Sequence, residues 1–305
     1  MNFSIVIIIK DDPVLLNLAL ASYAKLDYSK GEFELIVIDD GSSQPLNKLS
    51  DFPSNIEINY LYLPRNKLSS RARARNKGAA LAKYPYLVFV DGDHFVEPTL
   101  LSKYCQYFKC KPKRRLVLGT RNEIPPHYLG LVLNQYNKTG LAAITNKVKW
   151  HKDIRLSLEQ RFNRPIDTLA GKWHLFWSCN FCIEKELFLN TLFDEKFLGW
   201  GLEDVELGYR LTKEAIEFEM LNNAVWHLSS AEQLNKDKYH QWLENIQYFY
   251  SKHNDIRILE QQSFSDVFFY EAGLCEKAPL DWLSIFEIFE HKMAFHNQQK
   301  DIAST

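Results

Sequence analysis

The chain of 305 residues contains no G-x-G-x-x-G and no G-x-x-x-x-G-K-S/T, which disfavours dinucleotide and P-loop chemistry. It also lacks an excess of charge of either sign: the formal net charge is -1, so nothing global points to nucleic acid. The local basic cluster Lys109 to Arg115 reads as a solvated turn before a strand, with a phosphate or membrane-surface contact as the minority reading. Long apolar runs are missing too. Ile5 to Ile9 has no basic leader and falls far short of the roughly 20 residues that span a bilayer. Cysteine is scarce and odd in number, five, with no signal peptide, which favours a reducing cytoplasm over a disulfide framework. Cys179 and Cys182 form a C-x-x-C with no second pair to complete a zinc site, so core packing is their expected role. No internal repeat or low-complexity linker breaks the chain. A soluble cytoplasmic protein is expected.

What is present is an ordinary globular composition, 46% hydrophobic and 25% charged, enough for one large core or two modest ones. The organising stretch runs from Tyr86 to His94. Leu87 to Val90 suits a strand buried on both faces of a parallel sheet, and Asp91, Gly92 and Asp93 stop it abruptly. In open α/β sheets ligands bind at that edge, where paired aspartates can hold a divalent cation while the glycine backbone stays close to a phosphate. A plain D-G turn is the competing reading.

Around it, Ser4 to Ile9, Phe33 to Ile38 and Ile56 to Leu63 read as strands, the second ending in Asp39, Asp40 and Gly41. Pro13 suits a helix start, followed by an apolar stripe of Val14, Leu15, Leu18, Leu20 and Ala21. Ser69 or Ser70 can cap the next helix, whose Ala74, Gly78, Leu81 and Ala82 would face the sheet. Arg71 and Arg75 are four apart on it, an anion site or a solvated basic face. A helix from Pro98 to about Lys109 and a strand Leu116 to Gly119 complete four repeats, implying a parallel sheet with right-handed crossovers.

The second half differs. His127 to about Arg164 is helix-prone, and the aromatic Trp173 to Ile183 is a candidate strand. In F-L-G-W-G-L-E-D-V-E, Gly199 and Gly201 flank Trp200, giving a flexible aromatic wall just before Glu203, Asp204 and Glu206. The two leading carboxylates fall in the first turn of a helix, where the positive end favours the ionised form that a general base needs. Ile216 to Val225 returns to strand character and ends in Trp226 to Ser230, with His227 either a metal ligand or an ordinary histidine. Beyond Ala231 the chain is helical and aromatic-rich, expected to pack on the rest of the protein or on a partner, with a membrane surface as the weaker alternative.

Together S-I-V-I-I-I, V-I-D-D-G-S-S at 37 to 43, R-N-K-G at 75 to 78, F-V-D-G-D at 89 to 93 and G-W-G-L-E-D resemble the nucleotide-sugar glycosyltransferases of family 2. The last segment is similar to that of galactosyltransferases and chondroitin-polymerase-like enzymes. The resemblance runs from about Ser4 to His227; Lys10 and Asp11 depart from the usual proline and small hydroxyl residue. It implies a GT-A fold, Rossmann-like with a mostly parallel central sheet flanked by helices, and a helical C-terminal extension. The expected division is a nucleotide-sugar half 1–120, an acceptor and catalytic half 121–230 and the extension 231–305.

By the same resemblance Asp40 contacts uracil, Arg75 with Arg71 lies by the nucleotide, Asp91 faces the ribose, and Asp93 with His227 binds Mn²⁺ or Mg²⁺. Asp204 is the base and Glu203 the partner of the acceptor hydroxyl, beside Trp200 and Gly201. The expected activity is metal-dependent, inverting transfer of a hexose or N-acetylhexosamine from a UDP-sugar to a carbohydrate or glycosylated acceptor. The alternatives are a retaining transferase and a non-catalytic sugar-nucleotide-binding subunit of a synthase. No nucleic acid is expected, and peripheral contact at the inner face of the membrane through 231–305 is held open.

Overall fold

The computed structural model describes residues 1–46, 56–111, 114–228, 234–271, 274 and 280–303. The strands are β1 (Phe3–Ile9), β2 (Phe33–Asp39), β3 (Glu57–Tyr62), β4 (Tyr86–Asp91), β5 (His94–Val96), β6 (Arg115–Ile124), β7 (Asn180–Glu184) and β8 (Glu217–Leu228). The helices are α1 (Pro13–Tyr23), α2 (Arg71–Leu81), α3 (Leu100–Cys110), α4 (Leu129–Thr145), α5 (Leu158–Phe162), α6 (Lys185–Thr191), α7 (Glu203–Lys213), α8 (Lys236–His253), α9 (Gln261–Glu271) and α10 (Trp282–Ala303).

One sheet orders the strands β3-β2-β1-β4-β7-β6-β8-β5. β1 to β4 are mutually parallel, and the apolar runs of β1, β2 and β4 are buried on both faces while β3 forms the half-exposed edge. Along β1, Val6 and Ile8 enter the core under α2, whereas Ile5, Ile7 and Ile9 enter the core shared with α1 and α3. Gly78 lets α2 lie close, since a Cβ there would collide with Val6 Cγ1. Ser70 caps α2 by accepting from Arg73 N at 3.2 Å, and Asp12 caps α1 by accepting from Leu15 N at 2.9 Å.

Several expectations need correction. β7 is antiparallel and inserts between β4 and β6, so the sheet is mixed beyond its first four strands. β6 runs ten residues, past Gly119, with an irregularity between Leu118 and Thr120. Of Trp173 to Ile183 only the end is strand; Lys172–Leu175 is a 3₁₀ turn whose aromatic rings fill the core instead of a sheet face. Leu81 and Val14 point to solvent, 48% and 52% exposed, because each lies on the side of its helix turned away from the sheet.

In the basic cluster Arg115 pairs with Glu217 and Glu219, while Pro112 and Lys113 lie outside the described residues. So do Ser229 to Gln233, where the expected boundary at 230 falls. Cys179 and Cys182 are buried and free. The C-terminal helices turn their aromatic rings inward, so Trp242, Phe249, Phe269, Trp282, Phe286 and Phe289 join the main core. No described helix is long and apolar enough to cross a membrane.

Candidate active site

β4 delivers Asp91 to its carboxyl end, and Gly92 N then donates to Ile8 O at 2.8 Å, tying the turn to β1. Asp93 is held between two imidazoles. His94 Nδ1 lies 2.5 Å from Asp93 Oδ1 and His227 Nε2 lies 3.3 Å from Oδ2. The histidines face each other across β5 and β8 with stacked rings 4.7 Å apart. Burial would raise the Asp93 carboxyl, but the His94 charge and hydrogen bonds from His227 hold it well below the usual range. For His227, burial is outweighed by the carboxylates of Asp93 and Glu123, the second 3.7 Å from Nδ1, which push its pKa up to about 9. Ligand atoms of Asp91, Asp93 and His94 lie within 4.8 Å of one another. Two carboxylates with imidazole nitrogens beside them are a donor set that fits Mn²⁺ and, through the carboxylates, Mg²⁺. His94 was not foreseen, although it directly follows the D-G-D.

Arg75 does something other than wait for an anion. It is 2% exposed, and its Nη2 donates to Asp91 Oδ1 at 2.9 Å while Nη1 donates to Glu203 Oε1 at 3.0 Å. A buried guanidinium needs such partners, and this one links the end of β4 to the start of α7. Of the three carboxylates after Trp200, Glu203 therefore meets Arg75. Glu206 turns the other way, accepting from Arg210 Nε at 2.9 Å, Lys252 Nζ at 2.7 Å and His253 Nε2 at 2.9 Å.

Asp204 also faces the cavity, and among the described residues its hydrogen bonds come from amides alone, Val205 N at 2.8 Å and Ser178 N at 3.3 Å. Burial, and after it the Glu203 charge, pushes its pKa up to about 7. This corrects the expectation that the helix terminus would keep it readily ionised: desolvation and a like charge outweigh the first-turn amides.

The Trp200 loop is pinned from α8. Asn245 Nδ2 donates to Leu198 O at 3.2 Å and Gly201 O at 2.8 Å, and the Trp200 ring packs on Trp242 at 5.0 Å and Phe269 at 5.6 Å. Gly201 has φ +96°, and a Cβ on it would collide with the Trp242 ring.

Two adjoining cavities result. One of about 420 Å³ contains Asp40, Arg71, Asp91, Gly92, Asp93 and Trp200. The other, about 330 Å³, contains Arg71, Arg75, Asp91, Asp93, Trp200, Gly201, Glu203, Asp204 and His227. Every residue singled out for the site thus lies in one or both. Asp39, by contrast, is spent internally, accepting from Ser42 N at 2.8 Å and Tyr60 Oη at 2.7 Å. Asp40 pairs with Arg65 at 3.5 Å, and burial raises its carboxyl. Sequence reading missed Ser178, His174, Gln261 and Trp282 on the second cavity; no local pattern marks them.

The sequence model described as "Glycosyltransferase like family 2" matches residues 19–258. Validoxylamine A glucosyltransferase of Streptomyces hygroscopicus subsp. limoneus is 28% identical over 70% of this chain and 48% of its own length. Chondroitin synthase of Escherichia coli is 29% identical over 64% of this chain and 30% of its own length. Hyaluronan synthase of Pasteurella multocida is 27% identical over 72% of this chain and 24% of its own length. The chain thus spans half or less of each of these relatives. Among solved structures, S. aureus TarS 1-349 in complex with UDP superposes with TM-score 0.54 at 16% identity, over 90% of this chain and 83% of that one. The mannosyltransferase PcManGT from Pyrobaculum calidifontis, in complex with GDP-Man and Mn²⁺, gives TM-score 0.54 at 12% identity, over 96% and 69%.

Proposed function

The chain belongs to glycosyltransferase family 2, and from that premise we propose that it is a divalent-metal-dependent, inverting transferase. It moves a hexose or N-acetylhexosamine from a UDP-sugar to a hydroxyl of a carbohydrate or glycosylated acceptor. The observation that carries this reading is the placement of the carboxylates: Asp91 and Asp93 stand in both cavities, whereas Asp204 stands only in the second. Donor and acceptor would then meet at the Asp91-Gly92-Asp93 turn.

In this reading Asp40 contacts the uracil from the larger cavity, Asp91 faces the ribose, and the Gly92 backbone runs beside the diphosphate with Arg71. Asp93 and His227, joined by His94, would hold Mn²⁺ or Mg²⁺. When bound, the cation neutralises charge growing on the leaving diphosphate oxygen. Arg75 positions Asp91 and Glu203 rather than meeting the donor itself. Trp200 stacks on the sugar, Gly201 lets the loop turn there, and Glu203 accepts a hydrogen bond from the acceptor.

The acceptor oxygen attacks the anomeric carbon, the bond to the diphosphate oxygen breaks on the far side, and the proton passes to an Asp204 carboxylate oxygen. One displacement of this kind inverts the anomeric centre. A base with a pKa near 7 is well matched to that task. The complexes of TarS with UDP and with UDP-GlcNAc and the polysaccharide synthases among the relatives support the donor class and a place in glycan synthesis.

The test is calorimetric titration of UDP with Mn²⁺ and again with EDTA, followed by NMR of the product anomer. We expect affinity to fall at least about tenfold without metal, because a carboxylate-lined site repels an uncompensated diphosphate, and we expect an inverted product. UDP affinity indifferent to EDTA would remove the metal from the reading, and a retained anomer would remove the single displacement.

A further inference from the structure

Between Glu123 and Asp153 the sequence has no acidic residue, yet it carries Lys138, Lys147, Lys149 and Lys152. All four lysines are exposed. Among the described residues none of them forms an ion pair, and Lys147 Nζ donates instead to the neutral Gln135 Oε1 at 3.1 Å. Elsewhere many cations are matched, as Lys83 is by Glu57, Lys172 by Asp167 and Lys292 by Glu260. The acids around the stretch are engaged as well: Asp11 by Lys10, Glu97 by Lys103, Glu123 by Arg121 and Asp153 by Arg155. Positive charge left uncompensated on one segment, in a chain of net charge -1, marks a face suited to an anionic partner.

The same segment keeps apolar surface outside. α4 breaks at Gly140, φ +75°, and its inner side, Val132, Tyr136 and Ile144, closes a small core with Leu15 and Leu18 of α1 and with Phe95, Trp226 and Leu228 of the sheet. That core is incompletely covered. Leu133 and Trp150 are 37% and 38% exposed, and the Trp150 ring stands edge to face on Trp226 at 4.8 Å. Val14, on the side of α1 that brings Leu18 and Ala21 to this core, is also exposed. Backbone hydrogen bonds between His151 and Glu123, 2.8 and 2.9 Å long, fix Trp150 and Lys152 to β6. A soluble polyanion needs the charge alone, whereas an anionic bilayer rewards both the lysines and an indole standing at its interface.

We propose that α4 and residues 147–152 dock this protein onto an anionic lipid surface, with the lysines against the headgroups and Trp150, Leu133 and Val14 entering the interfacial layer. Trp242, Trp282 and Phe286 of the C-terminal helices are buried and are not available for it. Docking here holds the cavity rim near the lipid, since Asp12 at the head of α1 lines the larger cavity and Glu123 lies 3.7 Å from His227. That position suits an acceptor carried on a lipid, a consequence that rests on the transferase reading; the docking itself does not.

The experiment is co-sedimentation of the full chain with vesicles of phosphatidylcholine alone and of equal parts phosphatidylcholine and phosphatidylglycerol. It is run on wild type, Trp150→Ala, the triple variant Lys147→Gln, Lys149→Gln, Lys152→Gln and, as a control on the other basic cluster, Lys109→Gln, Lys111→Gln. Circular dichroism establishes that each is folded, and the surface triple variant carries the test alone if Trp150→Ala is not. Wild type and the control should bind the anionic vesicles and not the neutral ones, with binding that weakens as salt is raised. The triple variant should bind roughly 100-fold more weakly, about fivefold for each lysine withdrawn from the surface potential, and Trp150→Ala should weaken binding at unchanged charge. Absent binding to anionic vesicles, equal binding to neutral ones, or a folded variant of either kind that binds like wild type overturns the proposal. Heparin binding without vesicle binding assigns the face to a soluble polyanion and overturns it too. UDP titration on the same samples keeps the two readings apart: absent UDP binding in wild type overturns the transferase reading and leaves the docking standing.

Discussion

Asp204 concentrates the residue-scale argument, because burial beside Glu203 raises its pKa to about 7. Folded protein therefore keeps a proton that an unfolded aspartate releases near pH 4. Stability from this group falls as pH rises from about 4 through about 7, the sign opposite to that of a salt-bridged carboxylate. Transfer runs the other way: kcat/KM should rise through pH 7 and level off above it as the base ionises. Asp204→Asn should lose roughly 10²- to 10⁴-fold in kcat while keeping UDP affinity. The same variant should be on the order of 1–2 kcal/mol more stable than wild type at pH 8, with the gap closing toward pH 5. Steady-state kinetics and thermal melts across pH check both halves. A variant that transfers at wild-type rate, or melts lower at pH 8, removes Asp204 from the role of base.

At the scale of elements, α7 and α8 act as one unit. Glu206 on α7 gathers Lys252 and His253 of α8, and Asn245 of α8 ties down the loop that carries Trp200. The loop can make its turn because Gly199 and Gly201 both have positive φ, +73° and +96°. Gly201→Ala adds both a left-handed strain and a collision with Trp242, so the loop must move as a piece. We expect a loss of about 1–2 kcal/mol in stability. The acceptor KM should rise while UDP affinity holds, since Gly201 lines only the Asp204 cavity. Chemical denaturation with donor and acceptor kinetics measures this; an unchanged acceptor KM means that the loop does not position the acceptor.

Over the whole molecule, the sheet is covered on both faces and the last helices are part of the core rather than an addition to it. Trp282, Phe286 and Phe289 are 7%, 0% and 2% exposed, and Glu290 Oε2 accepts from Ala170 N at 3.1 Å and Arg164 Nη2 at 2.8 Å. Removing residues 259–305 takes out these aromatic side chains, each worth about 3–5 kcal/mol when lost from a core. That sum exceeds the stability of most domains. The truncated chain should aggregate or unfold without a cooperative transition, which differential scanning calorimetry reads directly. A sharp, reversible melt of the truncated chain would show that 1–258 stands alone.

Much of the site was legible because it is written locally. A β-branched run that ends in D-G-D declares a strand and its carboxyl edge, and two glycines around Trp200 before E-D declare a turn and a helix start. Those patterns alone determined the parallel half of the sheet, the aspartates at the end of β4, and the place of Glu203 and Asp204 in the first turn of α7. They could not say that β7 enters antiparallel between β4 and β6, since strand neighbours are chosen by packing across the sheet. Nor could they say which carboxylate of Glu203, Asp204 and Glu206 has no ion pair among the described residues. That was decided by Arg75, 128 residues before Glu203, and by Lys252 and His253, 46 and 47 residues after Glu206. Charges find partners through space, and burial shifts a carboxyl according to everything around it. Only the tertiary structure could therefore leave Asp204 with a pKa near 7, or bring Gln261 and Trp282 into its cavity.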